Sequence, residues 1–366
     1  MKYLFLLALL LGWNLHERLA SAQPAQSEWN KIIEAGKKEG KVVVSVPSSA
    51  ELRKEIERVF EQRFGIDVEL IAGRAASIVG KIQQEFKSGV RNFDLHMGGS
   101  ESMVTSLLSE GILDSFEPAM VLAEIKDPKS WWGGHIWVDN AKRHIYSSQA
   151  YQTENIWYNT EQVKPEEIRS FNDLVNPKWI GKIGYLDPRT PGSGTSIWSF
   201  LWQLKGEGYL RKLAAQQMFI GRDQRVLAEN LAKGKIALVV GLTYYSFLPF
   251  IKAGLPVKAL PNPRDEVYVS GGSGHLGIIK AAPHPNATKV FVNWFLGKEG
   301  QEIFGKAMGQ GTRRLNVDTQ WLKEFGVVAA KDSLSPDQYP RLENQSEEKV
   351  LKVREPAAEL ARKLLG

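Results

Sequence analysis

Gly192-Ser193-Gly194-Thr195 places two hydroxyls and two positions without side chains directly ahead of a segment with helical spacing. Unpaired N–H groups at a helix start carry partial positive charge, so this run can hold a carboxylate or phosphate; it can equally be a plain helix cap. Gly98-Gly99-Ser100 is a second place where backbone can approach a ligand, or an ordinary tight turn. Arg74, within Ala72-Gly73-Arg74-Ala75-Ala76-Ser77, carries the planar fork that grips a carboxylate, although a surface arginine reads the same way. Trp198 can stack on an organic ligand or fill a core.

Other chemistries are excluded by what the chain lacks. Of its 366 residues none is cysteine, which removes thiolate nucleophiles, disulfides, Cys-ligated zinc, iron–sulfur ligation and a lipid-anchored N-terminal Cys. His16 falls in the expected N-terminal signal segment, and His96, His135, His144, His275 and His284 have no close metal-ligand spacing; only His275, after a glycine-rich loop, is placed near a cleft. No Gly-x-Ser-x-Gly elbow activates a serine, and Gly271-Gly272-Ser273-Gly274 lacks the Lys-Ser/Thr of a phosphate loop.

These residues lie between elements of an α/β grammar. Lys41 to Val46 reads as a strand, Ser49 as the cap of a helix closed by Gly65, and Ile66 to Ile71 as the next strand, a right-handed parallel unit. Helix from Ile78 to Phe86, strand from Phe93 to Met97 and helix from Met103 to Leu108 continue it. Crowded aromatics between about 125 and 160 read as strands crossing between lobes. A second series follows: strand at Ile183 to Leu186, helices after Ile197 and Arg225, strand at Ile236 to Val240, a return crossing at 271–274, strand at His275 to Ile279 and helix from Asn286 to Phe304. The expected fold is two α/β lobes, each a doubly wound mixed sheet with flanking helices, with a ligand cleft between them. Lobe 1 is expected over 23–138 plus about 272–322, and lobe 2 over about 139–271 plus 323–366.

A basic Met1-Lys2, an apolar run from Tyr3 to Trp13 and Ala20-Ser21-Ala22 form an expected signal peptide, 1–22, cleaved before Gln23. With export and no cysteine, the expected location is the periplasm, without a lipid anchor. The formal charge of +6 includes Lys2, Arg18 and Glu17 of that segment. The small remaining excess, with no basic block interleaved with aromatics, speaks against nucleic acid and for a modest attraction to small anions.

The chain resembles the type II periplasmic solute-binding proteins of ABC importers, in the branch containing ferric-iron-binding proteins and organic-anion-binding relatives. The resemblance runs from about Glu28 to the C-terminus. It rests on Phe64-Gly65-Ile66-Asp67-Val68, Asp94-Leu95 with Gly98-Gly99-Ser100, Asn176 to Gly184, Ala232 to Ala237, Tyr244-Tyr245 and Phe295 to Gln301, in that order and spacing. It implies a non-enzymatic, monomeric binding protein without a resident cofactor. Its implied partners are a permease and an ATPase in the inner membrane. It also implies that Tyr244 and Tyr245 stand where the ferric branch places two iron-ligating tyrosines, hard donors suited to Fe(III) as transported cargo. The other ferric ligands do not carry over: Ser48 and Ser49 lie in the loop that bears His or His-Tyr, Gly99 replaces a Glu, and Trp198 replaces a third Tyr. Gln224 or Arg225 matches an anion-contacting position of relatives. The residue set therefore favours a small anion, held by Ser48, Ser49, Arg74, Gly99, Ser100, Ser193, Gly194, Thr195, Trp198, Gln224, Arg225, Tyr244 and Tyr245. Ferric iron with a synergistic anion is the alternative, and a ligand-sensing partner of a membrane receptor another.

Overall fold

A computed structural model describes residues 27–73, 75–260 and 268–366. The expected signal peptide and Arg74 therefore lie outside the described residues. After helix α1 (27–39), the chain forms β1 (Lys41–Pro47), α2 (Ala50–Phe64), β2 (Asp67–Gly73), α3 (Ala75–Lys87) and β3 (Leu95–Gly98). β1 lies between β2 and β3 and is parallel to both. Its valines explain this central place. Val42, Val44 and Val46 enter one core with Leu52, Ile56 and Phe60 of α2, while Val43 enters another with Ile78, Val79 and Ile82 of α3. A strand buried on both faces is what a continuous β-branched run specifies.

The chain then supplies β4 (Tyr146–Ser147), β5 (Tyr151–Thr153) and β6 (Ile156–Asn159), each in a different sheet. Next come β7 (Ile183–Leu186), α4 (Ser193–Lys205), α5 (Glu207–Ala214), β8 (Phe219–Gly221), α6 (Gln224–Ala232), β9 (Leu238–Val240), α7 (Tyr244–Lys252) and β10 (Val257–Ala259). These build the second sheet, in the order β10-β6-β9-β7-β8. β11 (Val269–Ser270) and β12 (His275–Ile278) carry the chain back, and β12 joins the first sheet, ordered β2-β1-β3-β12-β4. α8 (Pro285–Leu296), α9 (Lys298–Met308), β13 (Val327–Ala329) and α10 (Glu355–Leu365) complete the fold. Between the two sheets, β5 pairs antiparallel with β11 and with β13. This small sheet is the strap across which the chain passes between lobes.

The structure departs from the expected pattern in places. The segment 286–304 is two helices, because Gly297 interrupts it with extended backbone. Tyr146–Ser147 pairs with β12 in the first sheet, so that lobe reaches past residue 138. The C-terminal segment serves both lobes: Val350 is buried with Met103 and Leu107, whereas Ala357 and Ala361 pack with Trp198 and Leu201. Ser193, Gly194 and Thr195 form the first turn of α4 and do not precede it.

Gly194 lets α4 lie against β7, because a Cβ there would overlap the carbonyl of Leu186. Gly194→Ala is expected to destabilise the protein by about 1–3 kcal/mol through overpacking. Gly208→Ala, where nothing lies within 4 Å, is expected to be neutral or stabilising. Urea unfolding of the two variants checks both.

Candidate functional site

Parallel strands that neighbour one another release their loops on the same side, and here two such pairs face each other. β1 and β3 deliver 48–49 and 99–101 from lobe 1; β7 and β9 deliver 187–195 and 241–245 from lobe 2. Crevices at the carboxyl ends of strands are where open α/β sheets bind ligands. Ion pairs and hydrogen bonds cross the seam, including Lys252 to Glu51 at 3.1 Å, an exposed pair that contributes little.

On the lobe 2 side, β7 runs into Asp187. Burial alone would raise its carboxyl, but hydrogen bonds from Arg189 and Arg222 outweigh this and hold it down to about 2. The loop it organises leads to Gly192, whose φ of 155° and ψ of −170° only glycine adopts readily. The two hydroxyls expected to face a ligand turn into their own lobe. Ser193 Oγ donates to Gly241 O, and Thr195 Oγ1 points at the carbonyls of Pro188 and Thr190. They fix the start of α4 against its strands. Gly194 is buried in the same packing.

Tyr244 and Tyr245 open α7 beside this turn. Tyr244 is buried, its ring 4.5 Å from that of Phe325 and packed so closely on Gly309 that a Cβ there would overlap it. Half-buried Tyr245 packs against the lobe 1 core. Burial pushes its phenol up, against lowering hydrogen bonds with Gln224 and Thr243. Gln224 also accepts from Ser246 Oγ at 2.7 Å, so it belongs to this group, whereas Arg225 is exposed. Trp198 is removed from the cleft: it is fully buried, its indole N–H donates to Ala357 O and its ring meets Tyr185 edge-on. On the lobe 1 side, Ser48 is exposed, and Ser49 Oγ is used as the cap of α2, accepting from Leu52 N. Gly99 is half-buried and Ser100 buried.

Two residues absent from the expected set hold the centre. Glu101 Oε2 accepts from Gly192 N at 3.2 Å and from Arg354 Nη2 at 2.5 Å. The same Nη2 donates to Gly192 O, and Nη1 reaches Ser100 Oγ at 3.4 Å. Both side chains are nearly fully buried. Nearby His275 is neutral, because burial, with a contribution from Arg354, pushes its imidazole down to about 3.

Residues 42–307 match the family described as bacterial extracellular solute-binding protein. The chain belongs to this family. Among relatives of this solute-binding protein, the Iron uptake protein A1 of Synechocystis sp. is 23% identical over 272 residues, 68% of each chain. Iron-bound HitA from Pseudomonas aeruginosa superposes with a TM-score of 0.64 at 19% identity, over 88% of this chain and 99% of the other. AfuA from Actinobacillus pleuropneumoniae, with exogenous fructose-6-phosphate bound, gives 0.63 at 19% identity over the same shares. These neighbours share the two-lobed fold.

The sequence gives only faint signals for the missed pair. Glu101 directly follows Gly98-Gly99-Ser100, but an acid carries the wrong charge to mark an anion site. Arg354 sits in a charged stretch, beside exposed Lys352, far along the chain from its partners. Glu101 lies just ahead of the π-helical segment Met103–Leu108 and Arg354 ends another, Val350–Arg354, a distortion frequent at functional sites. Removing one member leaves the other buried and unpaired, so Arg354→Met is expected to cost about 3–5 kcal/mol. Adding Glu101→Met to it is expected to recover much of that loss. A double-mutant cycle by chemical denaturation measures the coupling.

Proposed function

We propose that this solute-binding protein is the periplasmic capture component of an ABC importer and takes a small anionic solute, an organic carboxylate, phosphonate or phosphorylated compound, by closure of its lobes. One observation carries the reading. At the seam, the backbone N–H of Gly192, the residue that caps α4, and a buried guanidinium converge on a carboxylate oxygen. Backbone N–H groups at a helix start and an arginine fork together are an oxyanion receptor. The family supports a binding role, not a catalytic one, and export. Contacts from both lobes favour closure because only the closed form makes both sets. Passage to a membrane permease and ATPase follows from this role.

Ferric iron is a second reading, favoured by Tyr244-Tyr245 at the start of α7 and by relatives named for iron. Here the tyrosines would supply hard oxygen donors and the α4 turn the accompanying anion. Among the described residues no three His, Cys, Asp or Glu side chains are grouped to add further ligands.

Calorimetric titration of the exported protein with citrate, a phosphonate, fructose-6-phosphate and ferric citrate separates the readings. The anion reading expects at least one iron-free anion to bind, more weakly as salt is raised. Binding confined to ferric citrate, with a visible tyrosinate-to-iron absorption band, would replace it by the iron reading.

A further inference from the structure

The oxyanion receptor at the seam is filled by the protein's own acid. Glu101 belongs to lobe 1, on the turn Ser100–Ser102 after β3, while Gly192 belongs to lobe 2 and Arg354 to the C-terminal segment that packs on both. One carboxylate oxygen thus closes the lobes on each other. We infer that Glu101 is an internal surrogate for the acidic group of the ligand, and that a solute bearing a carboxylate or phosphate binds by displacing it from Gly192 N and Arg354. This rests on the anion reading above and adds the competition.

Two features support displacement over a fixed structural pair. First, Arg354 is 4% exposed, yet its Nε has no partner among the described residues, so the guanidinium holds unused donor capacity for a ligand with more acceptor oxygens than one carboxylate presents. Second, Glu101 reaches its partners from a three-residue turn that gives way at once to a π-helical segment, so its backbone is not locked in a long regular helix. Glu101 meets Gly192 N and one arm of the Arg354 fork through a single oxygen, whereas a ligand presenting more acidic oxygens can also meet Nε.

Competition of this kind lowers apparent affinity by the fraction of molecules in which the receptor is free. Glu101→Gln keeps the shape and removes the charge, and Glu101→Ala removes the competitor altogether. Both are titrated with citrate and with inorganic phosphate, and small-angle scattering records lobe opening without added anion. Thermal melting confirms that each variant is folded. The expected result is affinity raised about tenfold or more in both variants, with a larger radius of gyration before anion is added and a return to the compact value after it. Unchanged or weaker binding in folded variants, where the natural protein binds, overturns the surrogate role alone. If neither anion binds the natural protein or the variants, while ferric citrate does, the anion reading fails and the surrogate with it.

Discussion

The oxygen Glu101 Oε2 is where three parts of the chain far apart in sequence meet: a turn after β3, Gly192 at the cap of α4 after β7, and Arg354 of the C-terminal segment. Burying a carboxylate and a guanidinium costs several kcal/mol each in lost hydration, and that cost is met only if each finds well-placed partners. The carboxylate finds a helix N-terminus and an arginine; the arginine finds the carboxylate, Gly192 O and Ser100 Oγ. The need to complete this set constrains how the lobes sit, since shifting either lobe leaves a buried charge unmatched.

Much of the remaining architecture serves that meeting. The hydroxyls of Ser193 and Thr195 and the carboxylate of Asp187 hold the start of α4 on its strands, and Gly194 allows the helix to approach β7. The crossing strands β5, β11 and β13 form a narrow strap joining two separately cored lobes. Such a strap permits closure without repacking either core, the geometry of hinged binding proteins.

Local pattern made the lobes legible. The valines of β1, the Ser49 cap and the left-handed Gly65 that ends α2 are decided by neighbours in sequence, and each stands where the pattern places it. The first strand pair is parallel as expected. The site was legible only in outline. Loops after strands carry the candidate residues, but the direction of a side chain within them is set by packing: Trp198 turns into the core, Tyr244 onto Gly309, and Ser49 back onto its own helix. The charge pair at the centre was not legible, because Glu101 and Arg354 are joined by the return of the C-terminal segment, which no local spacing encodes.

A crystal structure of the protein with a bound carboxylate or phosphate solute tests the central claim most directly. The account predicts a solute oxygen hydrogen-bonded to Gly192 N and to the Arg354 guanidinium, with the Glu101 side chain turned away. A solute bound at the seam while Glu101 stays on Gly192 N and Arg354 would contradict it.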